Sequence, residues 1–122
     1  MVNVKSVTIY GIKNCDTMKK ARSWLDRRGV VYEFHDYKSA GIARGMLEGW
    51  AHEVGWELLL NRSGRTFRAL PEKDREDLTD KKAIALMAAE PSMIKRPVLD
   101  VGGWLLVGFR PEEYEKVFGG RR

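Results

Sequence analysis

The sequence predicts a small α/β domain built on a mixed sheet, and three observations lead to that class. The chain opens on a β-α-β pattern, passes through a helical middle, and closes on a β-β-α pattern. Its 122 residues fit one domain, and 43% hydrophobic residues leave enough for a core. No repeat or low-complexity segment interrupts the order.

Each element has its own signal. Val4 to Ile12 alternates and is rich in β-branched residues, so it reads as a first strand. Asn14 or Asp16 can cap a helix from about Cys15 to Arg28, whose apolar face carries Met18, Ala21 and Leu25, with Gly29 as its stop. Val30 to Tyr37 is a second strand, and such βαβ crossovers place their strands parallel. Met46, Leu47, Trp50 and Val54 recur at helical spacing, and a short apolar turn, Trp56 to Leu60, follows. Asn61 to Gly64 is a turn, and a mixed-charge loop is expected up to Asp77. Thr79 or Asp80 can cap a further helix bearing Ala83, Ile84 and Met87, ended by Pro91. Pro97 to Val101 and Trp104 to Val107 are short strands about Gly102-Gly103, a hairpin signal. Pro111 then suits the first position of a last helix, with Glu112 and Glu113 in its first turn and Gly119 as its stop. Arg121-Arg122 reads as a disordered tail.

Composition narrows the classes of function. There are 22 Lys and Arg against 17 Asp and Glu, a net charge of 22 − 17 = +5. That excess favours anionic partners, but basic and acidic residues are interleaved, so a dedicated nucleic-acid function is not expected. The single cysteine excludes a disulfide framework within the chain. Met1 to Tyr10 lacks the long apolar core of a signal peptide, and no stretch approaches the roughly 20 apolar residues of a membrane span. The expectation is a cytoplasmic, monomeric domain with no membrane contact. His35 and His52 have no partners at metal-ligand spacing, so no metal site is expected.

Three places can carry chemistry. Cys15 follows a strand and opens a helix, where free backbone N–H groups and a partial positive charge favour thiolate over thiol. A free cysteine has a pKa of about 8.5, and such a setting can lower it toward neutrality. Lys13, Lys19 and Lys20 add to that field, while Asp16 opposes it. Arg110 precedes Pro111 and so sits at a helix N-terminus, where its charge opposes the dipole; this points to a nearby anion, either a ligand or a carboxylate. Arg96-Pro97, at the entry to a strand, is a place where a cis peptide would make a tight turn.

Together, the run Tyr10 to Thr17, His35-Asp36-Tyr37, Gly55-Trp56 with Leu59-Leu60-Asn61, Arg96-Pro97 and Gly108-Phe109-Arg110-Pro111 resemble one family. The chain is similar to the arsenate reductase-related (ArsC/Spx) family, and most to its YffB-type branch. The resemblance implies a thioredoxin-like, glutaredoxin-like fold: a mixed four-stranded sheet with a helical insertion over about 41–92, and a cis peptide at Arg96-Pro97. It implies Cys15 as nucleophile, Arg96 and Arg110 as holders of an anion or of glutathione, and Arg62 beside the place of a third arginine, where Asn61 stands. Lys13 and Asn14 complete the expected anion- or glutathione-binding set, and Pro97 is expected to be structural.

The resemblance also implies a cycle. The cysteine attacks an oxyanion or a disulfide, glutathione acts as co-substrate to release the product, and a glutaredoxin completes the reaction; no bound cofactor is implied. Arsenate reductases of this kind carry His-Asn-Pro before the cysteine and Ser three residues after it. Gly11, Ile12 and Lys13 stand in that loop here, and Met18 stands after the cysteine, which turns the expectation from arsenate toward glutathione-dependent thiol reduction. With no second cysteine at Cys-x-x-Cys spacing, the resolving thiol must come from outside. The alternative function is that of Spx-type relatives, which bind RNA polymerase and sense redox state through a Cys-x-x-Cys pair. Met18 occupies the second place of that pair, which favours the enzyme.

Overall fold

The computed structural model describes residues 6–119. The expected strand start at Val4 and the tail Arg121-Arg122 lie outside them. Two compact units are present. One takes the chain up to Asp36 and again from Arg96; the other is Tyr37–Lys95.

The first unit holds a four-stranded sheet in the order β2-β1-β3-β4. Its strands are β1 (Thr8–Gly11), β2 (Glu33–Asp36), β3 (Val98–Asp100) and β4 (Leu105–Val107). β1 runs parallel to β2, with Tyr10 opposite His35, and antiparallel to β3, with Ile9 opposite Leu99. β3 and β4 form the expected hairpin, closed where Gly102 and Gly103 adopt φ of 71° and 133°, values L side chains avoid. The sheet is therefore mixed, and the thioredoxin-like α/β class holds.

Helix α1 (Asp16–Arg27) crosses from β1 to β2 and buries Met18, Ala21 and Leu25, the three positions its apolar spacing marks. It ends at Gly29, whose φ of 70° lets the chain turn back. These side chains meet Ile9 and Leu99 of the sheet, Val7, Val30 and Val101 just outside its strands, and Tyr114, Val117 and Phe118 from the last helix. Fully burying each large apolar side chain is worth about 1.5–3 kcal/mol, so this cluster sets the position of everything on α1.

The second unit is helical: α2 (Tyr37–Ala40), α3 (Arg44–Val54), α4 (Trp56–Leu59), α5 (Arg65–Arg68), α6 (Glu72–Arg75) and α7 (Asp80–Ala89), followed by a 3₁₀ turn, Pro91–Met93. α3 packs on α7; α3 buries Leu47, Trp50 and Ala51, and α7 buries Ala83, Ile84 and Met87. Thr79 is the cap of α7, its Oγ1 accepting from the Lys82 amide at 3.2 Å.

Two expectations are corrected here. The stretch from Gly64 to Asp77 is not an open loop, because α5 and α6 lie in it. Each is a single turn, too short to show a period, and each depends on its surroundings: Phe67 is buried, and Lys82 Nζ donates to the Lys73 and Glu76 carbonyls at 2.9 and 2.6 Å. The second strand is also shorter than Val30 to Tyr37: it starts only at Glu33 and stops one residue early, since Tyr37 opens α2 and is buried there.

The last helix of the first unit, α8 (Pro111–Phe118), starts at the expected proline and carries Glu112 and Glu113 in its first turn. Gly119 ends it with an ordinary helical φ of −67°, so this stop uses no left-handed turn.

A candidate thiolate site at the start of the first helix

Strand β1 delivers the chain to Cys15 through an exposed turn that contains Lys13 and Asn14. Cys15 is itself the N-cap of α1, with extended φ and ψ of −130° and 130° and its carbonyl accepting from the Lys19 amide at 2.9 Å. Neither Asn14 nor Asp16 takes that role; the apolar anchor at Met18 fixes the register so that the helix begins one residue after the cysteine. The cap position aims the Cys15 side chain at the second and third amides of the helix, Thr17 and Met18. No side-chain bond of full capping geometry closes there, but both amides face the sulfur.

Cys15 is partly exposed and packs against the sheet core. Burial pushes its thiol up. The Met18 amide, the hydrogen bond from the Arg96 side chain, the Thr17 amide and the Arg96 charge act against it, and together they leave the pKa below the ordinary cysteine value. A half-exposed sulfur with a lowered pKa can reach a substrate and ionises more readily than an ordinary thiol, which favours nucleophilic sulfur chemistry.

Arg96 is half-buried, directly ahead of β3, and the Arg96-Pro97 bond is cis. Pro97 is buried, and its carbonyl accepts from the Gly108 amide at 2.8 Å, which ties the loop before β3 to the loop after β4. Arg110 lies just beyond that second loop as the N-cap of α8, and it is exposed. Its guanidinium reaches Glu113 at 4.0 Å. Of the two anions that a cation at this helix end called for, the carboxylate is thus present.

The structure brings Arg96 to Cys15 by direct hydrogen bond, while Arg110 is held on the same unit by Glu113. Arg62 belongs to the helical unit, exposed, with its guanidinium 5.7 Å from the centre of the Trp56 ring. The groups not anticipated from sequence are the Thr17 and Met18 amides. Their signal was the cap position itself: once a cysteine is the N-cap, the second and third helical amides become its partners whatever their side chains are.

The histidines lie elsewhere in the two units. His35 is on β2 with its ring 4.9 Å from that of Tyr10, and His52 is exposed on α3. Among the described residues no three His, Cys, Asp or Glu side chains gather in a way that could hold a metal ion. No helix among them is long and apolar enough to cross a membrane.

Comparison with known proteins agrees with this geometry. The ArsC family model matches residues 10–117. The solved structure of the YffB protein superposes with a TM-score of 0.91 at 57% identity, covering 93% of this chain and 99% of its own. An arsenate reductase (ArsC) related protein from Brucella melitensis is 54% identical, with a TM-score of 0.75 and coverage of 97% and 98%. The global transcriptional regulator Spx of Streptococcus mutans is 28% identical over 109 residues, which are 88% of this chain and 79% of the regulator.

Proposed function

The chain belongs to the ArsC family, and from that premise we propose that it is a glutathione-dependent thiol reductase working through Cys15. The observation that carries this reading is a half-exposed thiol at a helix N-cap, hydrogen-bonded by Arg96 and held below its ordinary pKa. Cys15 as thiolate attacks one sulfur of a disulfide. The S–S bond breaks, a mixed disulfide forms on Cys15, and the departing thiolate takes a proton from water. The thiolate of glutathione then attacks the substrate-side sulfur of that mixed disulfide, which frees Cys15 and leaves glutathione disulfide-bonded to the product; a glutaredoxin can reduce that product in turn. Arg96 favours the anion before attack and again when Cys15 is released.

Lys13, Asn14 and Arg110 lie on the unit that carries Cys15, and they supply donors and positive charge for the carboxylates of glutathione or for an oxyanion substrate. A cytoplasmic setting, where glutathione keeps thiols reduced, suits a single-cysteine cycle. The similarity to Spx favours a second reading, a module that binds RNA polymerase. Against it, Met18 stands where a redox-sensing cysteine pair would be completed, and its side chain is buried in the core.

Alkylation of Cys15 by iodoacetamide tests the proposal. The rate is expected to titrate with a midpoint below that of free cysteine, and millimolar glutathione disulfide followed by gel filtration should leave Cys15 as a glutathione adduct. A midpoint at or above the free value with no adduct would refute the enzyme.

A further inference from the structure

An open groove of about 400 Å³ runs along α1 of the first unit and does not belong to the sulfur site. Lys19, Lys20 and Arg27 line it from the helix, and Trp24, Phe109 and Pro111 form its apolar seat. At 100° per residue Lys19, Lys20 and Arg27 fall on the side of α1 opposite Met18, Ala21 and Leu25, so burial of the core does not explain them. The Trp24 ring is fixed, with the Arg28 guanidinium 4.3 Å from its centre and Tyr114 edge-on at 5.5 Å. Among the described residues no carboxylate lines the groove. Three cations beside a rigid aromatic seat fit a ligand that is anionic and apolar at once.

The position of the groove says more. Lys19 lies one helical turn from Cys15, and Phe109 packs on the same core as the cysteine. From Cys15 to Arg27 the helix rises about 18 Å, a length that about five residues of extended chain would span. We propose that this groove seats an acidic peptide segment bearing an aromatic side chain, contributed by the protein whose disulfide exchanges with Cys15. The inference deepens the thiol-reductase reading by naming its substrate class. The acidic side chains pair with Lys19, Lys20 and Arg27, the aromatic ring lies against Trp24 and Phe109, and the substrate sulfur comes to Cys15.

Short peptides carrying one cysteine as its 2-thiopyridyl disulfide test this, one with glutamates flanking a phenylalanine and the other with lysines in their place. Cys15 attacks the peptide sulfur, the S–S bond breaks, and pyridine-2-thiolate leaves, picks up a proton and is read by absorbance. The acidic peptide is expected to react at least roughly tenfold faster than the basic one at low salt, with the difference shrinking as salt rises. The Arg27→Glu variant, reversed about 18 Å along the helix from Cys15, should abolish the preference and leave the rate with neutral dithiodipyridine unchanged. Equal rates for the two peptides, or a preference that survives charge reversal, would overturn the proposal. A fluorescent acidic peptide with serine replacing its cysteine separates the two readings. Its binding, and loss of that binding in the variant, is expected even if dithiodipyridine shows Cys15 to be unreactive. No binding of this probe to the wild-type protein would sink the groove alone.

Discussion

Replacing Gly11 with alanine perturbs the core and the sulfur site through one side chain. Gly11 ends β1, and a Cβ there would overlap Met18 Sδ and stand 2.8 Å from its Cε and 3.2 Å from its Cγ. Met18 is fully buried, so the thioether has no open direction in which to retreat. Overpacking of this kind costs about 1–3 kcal/mol, and at about 4 °C per kcal/mol for a chain of this length it should lower Tm by about 4–12 °C. The alternative to strain is a shift of the first turn of α1, and that turn carries the Met18 amide that lowers the Cys15 pKa. Gly11→Ala should therefore also raise the midpoint of the pH–alkylation profile. Thermal unfolding by circular dichroism and iodoacetamide kinetics read the two effects. Met18→Ala supplies the control: it costs about 2–5 kcal/mol by itself, but in that background the new methyl finds room, so Gly11→Ala should cost nothing further. An equal loss in both backgrounds would refute the steric argument, and so would an unchanged Tm in the single variant.

Three other outcomes follow from the same structure. Arg96→Ala should raise the Cys15 midpoint by removing a hydrogen bond and a charge, and Arg96→Lys should recover part of the shift; stopped alkylation across pH checks both. Tyr114 is buried and its phenol pKa is raised by that burial, with the Glu113 charge adding to it. Its folded pKa thus exceeds the unfolded one, so stability is full below about pH 10 and is lost above it as the unfolded chain ionises, by at most about 1.4 kcal/mol per pH unit. Urea titrations at rising pH should show that loss, and Tyr114→Phe should flatten it. Thr79→Ala removes the cap of α7 and should cost about 0.5–2 kcal/mol, seen as faster amide exchange at Lys82 and in the turn after it.

Much of the first unit was legible because each of its signals is local. Gly29 marked the end of α1, Pro111 the start of α8 and Gly102-Gly103 the hairpin, and all three lie where their backbone preferences put them. The place of Cys15 was legible for the same reason, since a strand followed by an apolar helical stripe leaves the residue between them at a helix N-terminus. The partner that sets its charge was legible only through the family resemblance, because Arg96 and Cys15 are distant in sequence and no local pattern joins them. α5 and α6 escaped because one helical turn carries no period, and the burial of Phe67 that supports α5 comes from contacts remote in sequence. Arg110 shows the limit of a local rule: the helix dipole said that an anion was near, and the structure identified it as Glu113.

The pairing of β1 with β3 has a consequence for the chain as it is made. Ile9 faces Leu99 across that pair, a separation of 99 − 9 = 90 residues, with the whole helical unit threaded between them. During synthesis Cys15 is made early, and the side chain that hydrogen-bonds it and lends it a positive charge follows only after Lys95. Until Arg96 arrives and β3 closes on β1, the cysteine lacks that hydrogen bond and that charge. The contribution of Arg96 to the sulfur therefore arrives late, with completion of the sheet, well after the cysteine itself has been made.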